Sequence, residues 1–152
     1  MSPAELEAYL HEHIPLSVAI GVTVVAAGDD GIRLAAPLLP NLNHRQTVFG
    51  GSLSALAILA AWSLVHVRLQ AMPFPCRIVI RRQTTEYLDP AATDFEAYCP
   101  APEPAVWDRF VAALTRHGKA RIELAADVTV SGVLAAAFTG EYVALRSGSS
   151  RG

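Results

Sequence analysis

The chain has 152 residues and a mass of 16.2 kDa, a length typical of one domain that buries roughly 70% of the surface its unfolded form exposes. Hydrophobic residues make up 52% of the chain and charged residues only 17%, against roughly 25% charged residues in an average soluble domain. The net charge of -2 and the scattered Lys and Arg residues exclude the basic surface of a nucleic-acid binder. With so few charged residues, part of the apolar surface of the domain needs to be shielded from water, and a second subunit is the simplest way to do this.

Cysteine and histidine spacing argues against a metal site. Cys76 and Cys99 are too few and too isolated for a disulfide framework or a zinc site. His11 and His13 are two residues apart, so they do not share a helix face as metal ligands. We therefore expect no metal. No basic and apolar leader precedes the first helix, and we expect a cytoplasmic protein.

The N-terminal residues predict a short amphipathic helix. Ser2 is a preferred cap residue, Pro3 suits the first helical position, and Glu5 follows the cap by three residues. The helix closes at Pro15, and we expect it to lie on the outside of the domain.

The rest of the chain predicts six strands and two more helices. The strands are expected at 17–27, 32–38, 76–88, 93–99, 120–130 and 133–145. The turn at 28–31 joins the first two strands, Asp89 and Pro90 turn the third into a return strand, and Ser131 with Gly132 joins the last two. An apolar helix is expected at 50–69 and an amphipathic one from 106 to 118.

The apolar helix constrains the fold most. Residues 50–67 are eighteen residues without a formally charged side chain, the lower edge of a membrane-spanning length. Ala, Ser and Gly dominate the segment and no aromatic or basic flanks accompany it, so we expect a buried helix rather than a span. A helix that is apolar all round must be wrapped on most sides. An α+β architecture, with six antiparallel strands curved around this helix, satisfies that demand. We expect one domain over 1–146, a disordered tail over 147–152, and a dimer.

The segment 41–52, NLNHRQTVFGGS, leads directly into the apolar helix. Gly50 and Gly51 let a ligand approach closely, and first-turn N–H groups have no partner within a helix. A carbonyl oxygen against the N–H of Gly51 or Ser52 would be polarised by that donor and by the positive end of the helix dipole. The alternative is that the two glycines only permit close packing of the helix on the sheet.

The sequence resembles the hotdog-fold thioesterases. Residues 43–51, NHRQTVFGG, resemble the motif N-x-x-G-x-x-H-G-G of phenylacetate-type acyl-CoA thioesterases at Asn43, Gly50 and Gly51. A closer resemblance is to thioesterase-type domains found alone or behind an acetyltransferase domain, and it rests on 9–16, 37–53 and 86–90. The resemblance covers nearly the whole chain. It implies a curved antiparallel sheet around one long helix and hydrolysis of an acyl thioester on coenzyme A or a carrier protein.

The chain departs from the phenylacetate-type motif at the residues of acid–base chemistry. Gln46 replaces its middle glycine, Phe49 its histidine, and Ile58 the carboxylate of its helix. The oxyanion half of the site is thus kept and the usual base is missing. The alternative function is a non-catalytic module on the same fold that binds acyl or coenzyme A groups or serves assembly. A hydratase is less favoured, because its His and Asp or Glu motif is not found.

The loop before the helix offers replacements for the missing base. His44 is a candidate because imidazoles ordinarily titrate near neutral pH and can activate water, although a loop histidine is more often simply solvated. Asn43 could hold the water or the thioester carbonyl, or it could cap the loop through its side chain. Our candidate catalytic residues are therefore Asn43, His44 and Gly51. His66, within the apolar helix, is interpreted as a core histidine.

The candidate substrate-binding residues are Thr47, Phe49, Gly50, Ser52 and Arg82. We expect the acyl chain to run past Phe49. Arg82 could meet the phosphates of a coenzyme A or phosphopantetheine arm, and because neighbouring strand residues face opposite sides, at most one of Arg81 and Arg82 can do so. That arm would enter as part of the substrate, so no separate cofactor is expected. The expected partners are a small acyl thioester and further copies of the chain, as a homodimer or dimer of dimers, with no nucleic acid and no membrane span.

Overall fold

The computed structural model describes residues 1–148. Its helices and strands are α1 Pro3–His13, α2 Pro15–Ile20, β1 Thr23–Gly28, β2 Gly31–Ala36, α3 Gly50–Leu69, β3 Cys76–Tyr87, β4 Phe95–Pro100, α4 Pro104–His117, β5 Lys119–Val130 and β6 Val133–Arg146, with a 3₁₀ turn at Leu39–Asn41.

The six strands form one antiparallel sheet in the order β1-β2-β4-β5-β6-β3. Its longest hairpin joins β5 and β6 through Ser131 and Gly132, whose φ angles are 49° and 77°. Two successive positive φ angles are typical of the type I′ turn, whose twist matches that of the flanking strands. The predicted turns at 28–31 and at 131–132 are both confirmed.

Helix α3 lies in the curve of the sheet and packs against β2, β3, β4, β5 and β6. Its buried residues include Leu56, Ala57, Ala60 and Val65, each without exposed surface. Tyr142 of β6 donates its hydroxyl to the Ile58 carbonyl at 2.7 Å, which ties the sheet to the helix. The helix is long and apolar enough to span a membrane, but most of it is buried inside this chain. The predicted fold, a curved six-stranded sheet around one long helix, is confirmed as the hotdog arrangement.

The first predicted strand, 17–27, is wrong at its beginning. Pro15 begins a second short helix, α2, and β1 starts only at Thr23. Proline is favoured at a first helical position, and the helix ends where Gly21 adopts a φ of 81°. The Gly21 N–H donates to the carbonyls of Ser17 and Val18. The Val and Ile residues of this segment favour a strand, but Pro15 and Gly21 define the start and the end of a short helix instead.

The predicted return strand after β3 is also wrong in its pairing. Strand β3 pairs with β6 at the edge of the sheet, whereas β4 lies between β2 and β5. After β3 the chain continues along β6, with the N–H groups of Leu88 and Asp89 donating to the Ala135 carbonyl at 2.8 and 3.3 Å. It then passes the loop before α3, where the Val48 N–H donates to the Ala91 carbonyl. Asp89 and Pro90 thus belong to a crossover rather than to a hairpin.

The expected tail at 147–152 falls in part on residues 149–152, which lie outside the described residues. Ser147 is described, and its N–H donates to the Pro75 carbonyl at 2.9 Å. One cluster of buried side chains runs through the described chain. The single domain over 1–146 stays a prediction.

Candidate functional site

The loop before α3 is held together by Asn43 and Thr47. The Asn43 side-chain oxygen accepts from the N–H groups of Arg45 at 2.8 Å and Thr47 at 3.2 Å. Its amide nitrogen donates to the Thr47 hydroxyl at 2.8 Å. The side chain of Asn43 therefore caps the loop, one of the two roles considered for it. Contact of Asn43 or Thr47 with a substrate stays a prediction.

Three further hydrogen bonds, all made by Asn41, fix the position at which α3 begins. The Asn41 side chain is buried and donates to the carbonyls of Ile20 at 2.9 Å and Pro37 at 2.7 Å. The Asn41 carbonyl in turn accepts from the Phe49 N–H at 2.7 Å. Gln46 has a φ of 62°, a conformation that glycine adopts most easily. The loop thus keeps a left-handed turn at the position where the phenylacetate-type motif has glycine.

The first turn of α3 presents backbone donors. The Ser52 N–H donates to the Phe49 carbonyl at 2.9 Å, so it is not free for a ligand. Within residues 1–148, neither the Gly50 nor the Gly51 N–H has an acceptor. Of the two donors considered from the sequence, Gly51 and Ser52, the structure thus leaves only Gly51 open. The positive end of a 20-residue helix lies at the same place.

Two aromatic rings lie directly over the paired glycines. A Cβ atom on Gly51 would collide with the ring of Phe49, and one on Gly50 would lie 3.3 Å from Cε1 of Tyr87. The Phe49 side chain is 58% exposed, so it has room to move away from the helix start. Close packing against these rings thus accounts for part of the need for glycine at both positions.

A cavity of about 330 Å³ opens beside the start of α3. It brings together parts of the loop, the helix start and the crossover after β3, and its lining residues are Asn43, Thr47, Val48, Gly50, Leu53, Tyr87, Leu88, Asp89, Pro90 and Ala91. The one carboxylate in this lining belongs to Asp89. Sequence reasoning missed Asp89 and Tyr87 as site residues, although both lie in the segment 86–90 that carries part of the family resemblance.

This cavity is lined by three of the eight predicted site residues, Asn43, Thr47 and Gly50, and not by His44, Phe49, Gly51, Ser52 or Arg82. His44 is exposed, and its ring accepts a 3.4 Å hydrogen bond from Nε of the neighbouring Arg45. Arg82 lines a separate small cavity on the sheet together with Glu123 and Glu141. A bulge between Ile80 and Arg82 shifts the pairing with β6, so the simple alternation of strand faces does not hold there. Within one chain Arg82 does not share a cavity with Gly50.

The position of the missing helix carboxylate is apolar in the structure as well. Ile58 is half-buried and packs against the core. Residues 1–148 contain no group of three or more His, Cys, Asp and Glu side chains placed to hold a metal ion. Helix α3 contains no Asp or Glu, so it supplies no carboxylate to this site.

One long apolar helix wrapped by a curved six-stranded antiparallel sheet is the hotdog fold. The sequence matches, over residues 3–146, the family described as "Putative thioesterase (yiiD_Cterm)". The chain belongs to this family, as the resemblance in the sequence predicted.

Solved structures agree with this assignment. The chain is 30% identical to a protein of unknown function from Chlorobaculum tepidum, with a TM-score of 0.91 and coverage of 96% of this chain and 98% of that one. It is 27% identical to a "putative thioesterase" from Shewanella oneidensis, with a TM-score of 0.83 and coverage of 94% and 96%. The phenylacetic acid degradation protein PaaI from Thermus thermophilus is 21% identical, with a TM-score of 0.64 and coverage of 88% and 99%. The last similarity is one of fold alone.

Proposed function

We propose that this protein hydrolyses the thioester of an acyl group carried by coenzyme A or by the phosphopantetheine arm of a carrier protein. The observation that carries the proposal is the open N–H of Gly51 at the start of α3, beside the cavity that Gly50 and Asn43 line. A carbonyl oxygen gains negative charge when water attacks its carbon, and a fixed donor at a helix start stabilises that charge.

The reaction needs one water and one base. Water adds to the carbonyl carbon and gives its proton to the base, while the carbonyl oxygen becomes an oxyanion that accepts from the Gly51 N–H. The C–S bond then breaks, the oxyanion returns to a carbonyl, and the sulfur leaves and takes up the proton. The products are a carboxylic acid and the free thiol. Asn43 and Thr47 contribute by holding the loop that aligns the helix start.

For the base we propose Asp89. Its support is that it is the carboxylate among the residues lining the cavity, next to Gly50 and Asn43. The sequence favoured His44 instead. His44 is exposed like Asp89 but does not line the cavity, and it stays the second candidate. A general base must come within hydrogen-bond reach of the attacking water, directly or through one more water. Because Asp89 lines the cavity and His44 does not, Asp89 is the stronger candidate for the base.

A non-catalytic acyl-binding module is the second candidate function. It is favoured by the apolar Ile58 at the position of the usual carboxylate and by the polar atoms of Asn43 already being used within the loop. Such a module would bind acyl-coenzyme A and leave the thioester intact.

Release of free thiol from a panel of acyl thioesters separates the two functions. The panel should hold short, medium and arylacetyl groups on coenzyme A, and one acyl carrier protein. We expect thiol release well above that of buffer for at least one member, because enzymes usually turn over at about 1 to 10³ per second. Binding of acyl-coenzyme A by calorimetry, with no hydrolysis of any member, would establish the binding module instead.

We also propose that two copies pair along β3. The two edges of the sheet differ: at the β1 edge the Val24 N–H donates to the Glu7 carboxylate of α1 at 2.8 Å, whereas β3 presents twelve residues at the other edge. Val79 on β3 is 45% exposed. An uncovered edge strand is ready to pair with another strand. Since Tyr87 at the end of β3 lines the cavity, pairing along β3 would bring the partner close to the site.

Val79→Lys should weaken this dimer. A lysine on an edge strand opposes pairing, because its charge would have to lose water in the interface. We expect analytical ultracentrifugation to show a dimer for the wild type and a shift towards monomer for Val79→Lys. Val133→Lys, at an exposed valine beside the β5–β6 turn, is the matched control and should stay dimeric. A wild type that is monomeric at micromolar concentration, or a control that dissociates equally, contradicts β3 pairing.

A further inference from the structure

A cavity of about 830 Å³ lies beside the end of α4, on the face of the sheet that points away from α3. We call it the basic cleft, and its lining residues are Arg81, Ala113, His117, Lys119, Ala120, Arg121 and Val143. None of the described residues that line it is an Asp or Glu, although the whole chain has a net charge of -2. The positive charge collected here is therefore a local feature and does not follow from the composition.

The strands place three cations of the basic cleft on one face. Tyr142 points towards α3, because its hydroxyl donates to a carbonyl of that helix, so the next residue, Val143, points to the opposite face. Arg121 pairs with Val143, and Lys119, two residues earlier on β5, shares the face of Arg121. Arg81 reaches the same cavity from β3. Val143 is 7% exposed and forms an apolar floor between the cations of β3 and β5.

The positive charge of the basic cleft is only partly neutralised. Arg81 donates to the Glu141 carboxylate at 2.9 Å, and the Arg121 guanidinium lies 3.9 Å from the same carboxylate. Within residues 1–148, Lys119 has no carboxylate within salt-bridge distance, so three cations share one anion. Helix α4 ends at His117, and a helix C-terminus adds only about half a negative charge. The basic cleft therefore keeps an excess of positive charge.

The smaller cavity that Arg82 lines is less suited to an anion. Glu123 and Glu141 line it as well, and two carboxylates repel a negatively charged ligand. Of the two neighbouring arginines on β3, Arg81 is thus the one that lines a cavity without an acidic lining residue.

Pairing along β3 uses the edge of the sheet and not the face that holds the basic cleft. Six of its seven lining residues belong to α4, β5 and β6, and only Arg81 lies on the edge strand. Strands pair through their backbones, whereas the side chains of Arg121 and Val143 stand on the face of the sheet. Within one chain the basic cleft also shares no lining residue with the cavity beside Gly50.

We propose that the basic cleft binds a small molecule that carries two phosphate groups, with a nucleoside diphosphate as the fitting class. Hydrogen bonds between Arg or Lys and phosphate are among the strong ones. The volume lies within the range of small-molecule sites, about 300 to 1,000 Å³, and it leaves room for an organic body against Val143. The phosphates come either from a free nucleotide or from the nucleotide end of coenzyme A. Binding needs no hydrolysis, so it can be measured whether or not the protein is a thioesterase.

Lys119 reports binding at one known amine, because it is the only lysine of the chain. We expect ADP to protect Lys119 from acetylation by an N-hydroxysuccinimide ester, with the modified residue identified by mass spectrometry. The α-amino group of Met1, which lines a different cavity, is the internal control and should react equally with and without ADP. Adenosine, which has no phosphate, should leave Lys119 unprotected.

Calorimetry of ADP binding tests the cations directly. We expect Arg121→Gln to weaken ADP about tenfold, the scale of one lost hydrogen bond to a charged group. Arg109→Gln, at an exposed position of α4 outside the basic cleft, removes the same charge and should bind ADP normally.

Coenzyme A separates the two sources of phosphate. Displacement of ADP by coenzyme A assigns the cleft to the coenzyme, and ADP that coenzyme A does not displace assigns it to a free nucleotide; either result supports the proposal. It is overturned by an absence of saturable ADP binding, by unprotected Lys119, by adenosine binding as tightly as ADP, or by equal weakening in the two arginine variants.

Discussion

Gly51→Val should lower thioester hydrolysis by about 10²- to 10³-fold in kcat, the usual cost of losing one oxyanion donor. The branched side chain would occupy the space in which the substrate oxygen approaches the Gly51 N–H. It would also collide with the ring of Phe49. That ring is exposed and ends a flexible side chain, so it can turn away and the chain should still fold. The measurement is steady-state thiol release, with circular dichroism to verify folding.

Two further variants separate the donor from the packing role of this glycine. Gly28→Val places the same side chain where a Cβ atom meets nothing within 4 Å, and we expect it to keep full activity. In the double variant Phe49→Ala, Gly51→Val the collision with the ring is gone, but the approach to the N–H is still blocked. We therefore expect the double variant to remain inactive. Recovery of activity in the double variant would show that the glycine serves only to seat Phe49.

The fold could be predicted largely from patterns that are local in the chain. The sequence predicts helix α3 at its observed bounds, Gly50–Leu69, from one uninterrupted apolar segment. Because this segment is apolar all round, it also predicts that the helix is wrapped by other elements. The alternation along β5 gave one buried and one wet face, and the turn at Ser131 and Gly132 fixed its partner. Helix α3 and the β5–β6 hairpin are both determined by residues that are close together in the sequence, and this is why both predictions agree with the structure.

Pairing between distant segments could not be predicted in the same way. Residues 76–100 do not indicate that β3 pairs with β6 rather than with β4. That pairing depends on β6, which begins more than thirty residues later. The same crossover brings Asp89 beside Gly50 and Asn43. The sequence thus indicated the loop and the helix start that border the candidate cavity. It did not indicate Tyr87 and Asp89, which the crossover after β3 brings to the cavity. It also predicted Arg82 as a site residue, but within one chain Arg82 lines a different cavity from Gly50.

Asp89→Asn should lower hydrolysis by about 10²- to 10⁴-fold, the range over which general bases contribute. The amide has nearly the same shape as the carboxylate but cannot take the proton from water. Since Asp89 contributes to the fold here through its backbone N–H, which the substitution keeps, we expect unchanged folding and nearly unchanged affinity for a substrate. Asp108→Asn, on the exposed side of α4, is the matched control and should hydrolyse normally.

His44→Ala decides between the two candidate bases. If Asp89 is the base, His44→Ala should change the rate by less than about threefold, because the ring is exposed and accepts a hydrogen bond from its neighbour Arg45. Substitutions of exposed side chains usually have small effects. The pH profile of the rate gives an independent answer: a limb that is present in the wild type and disappears in His44→Ala would assign the base to His44. A rate that survives both Asp89→Asn and His44→Ala would contradict both candidate bases.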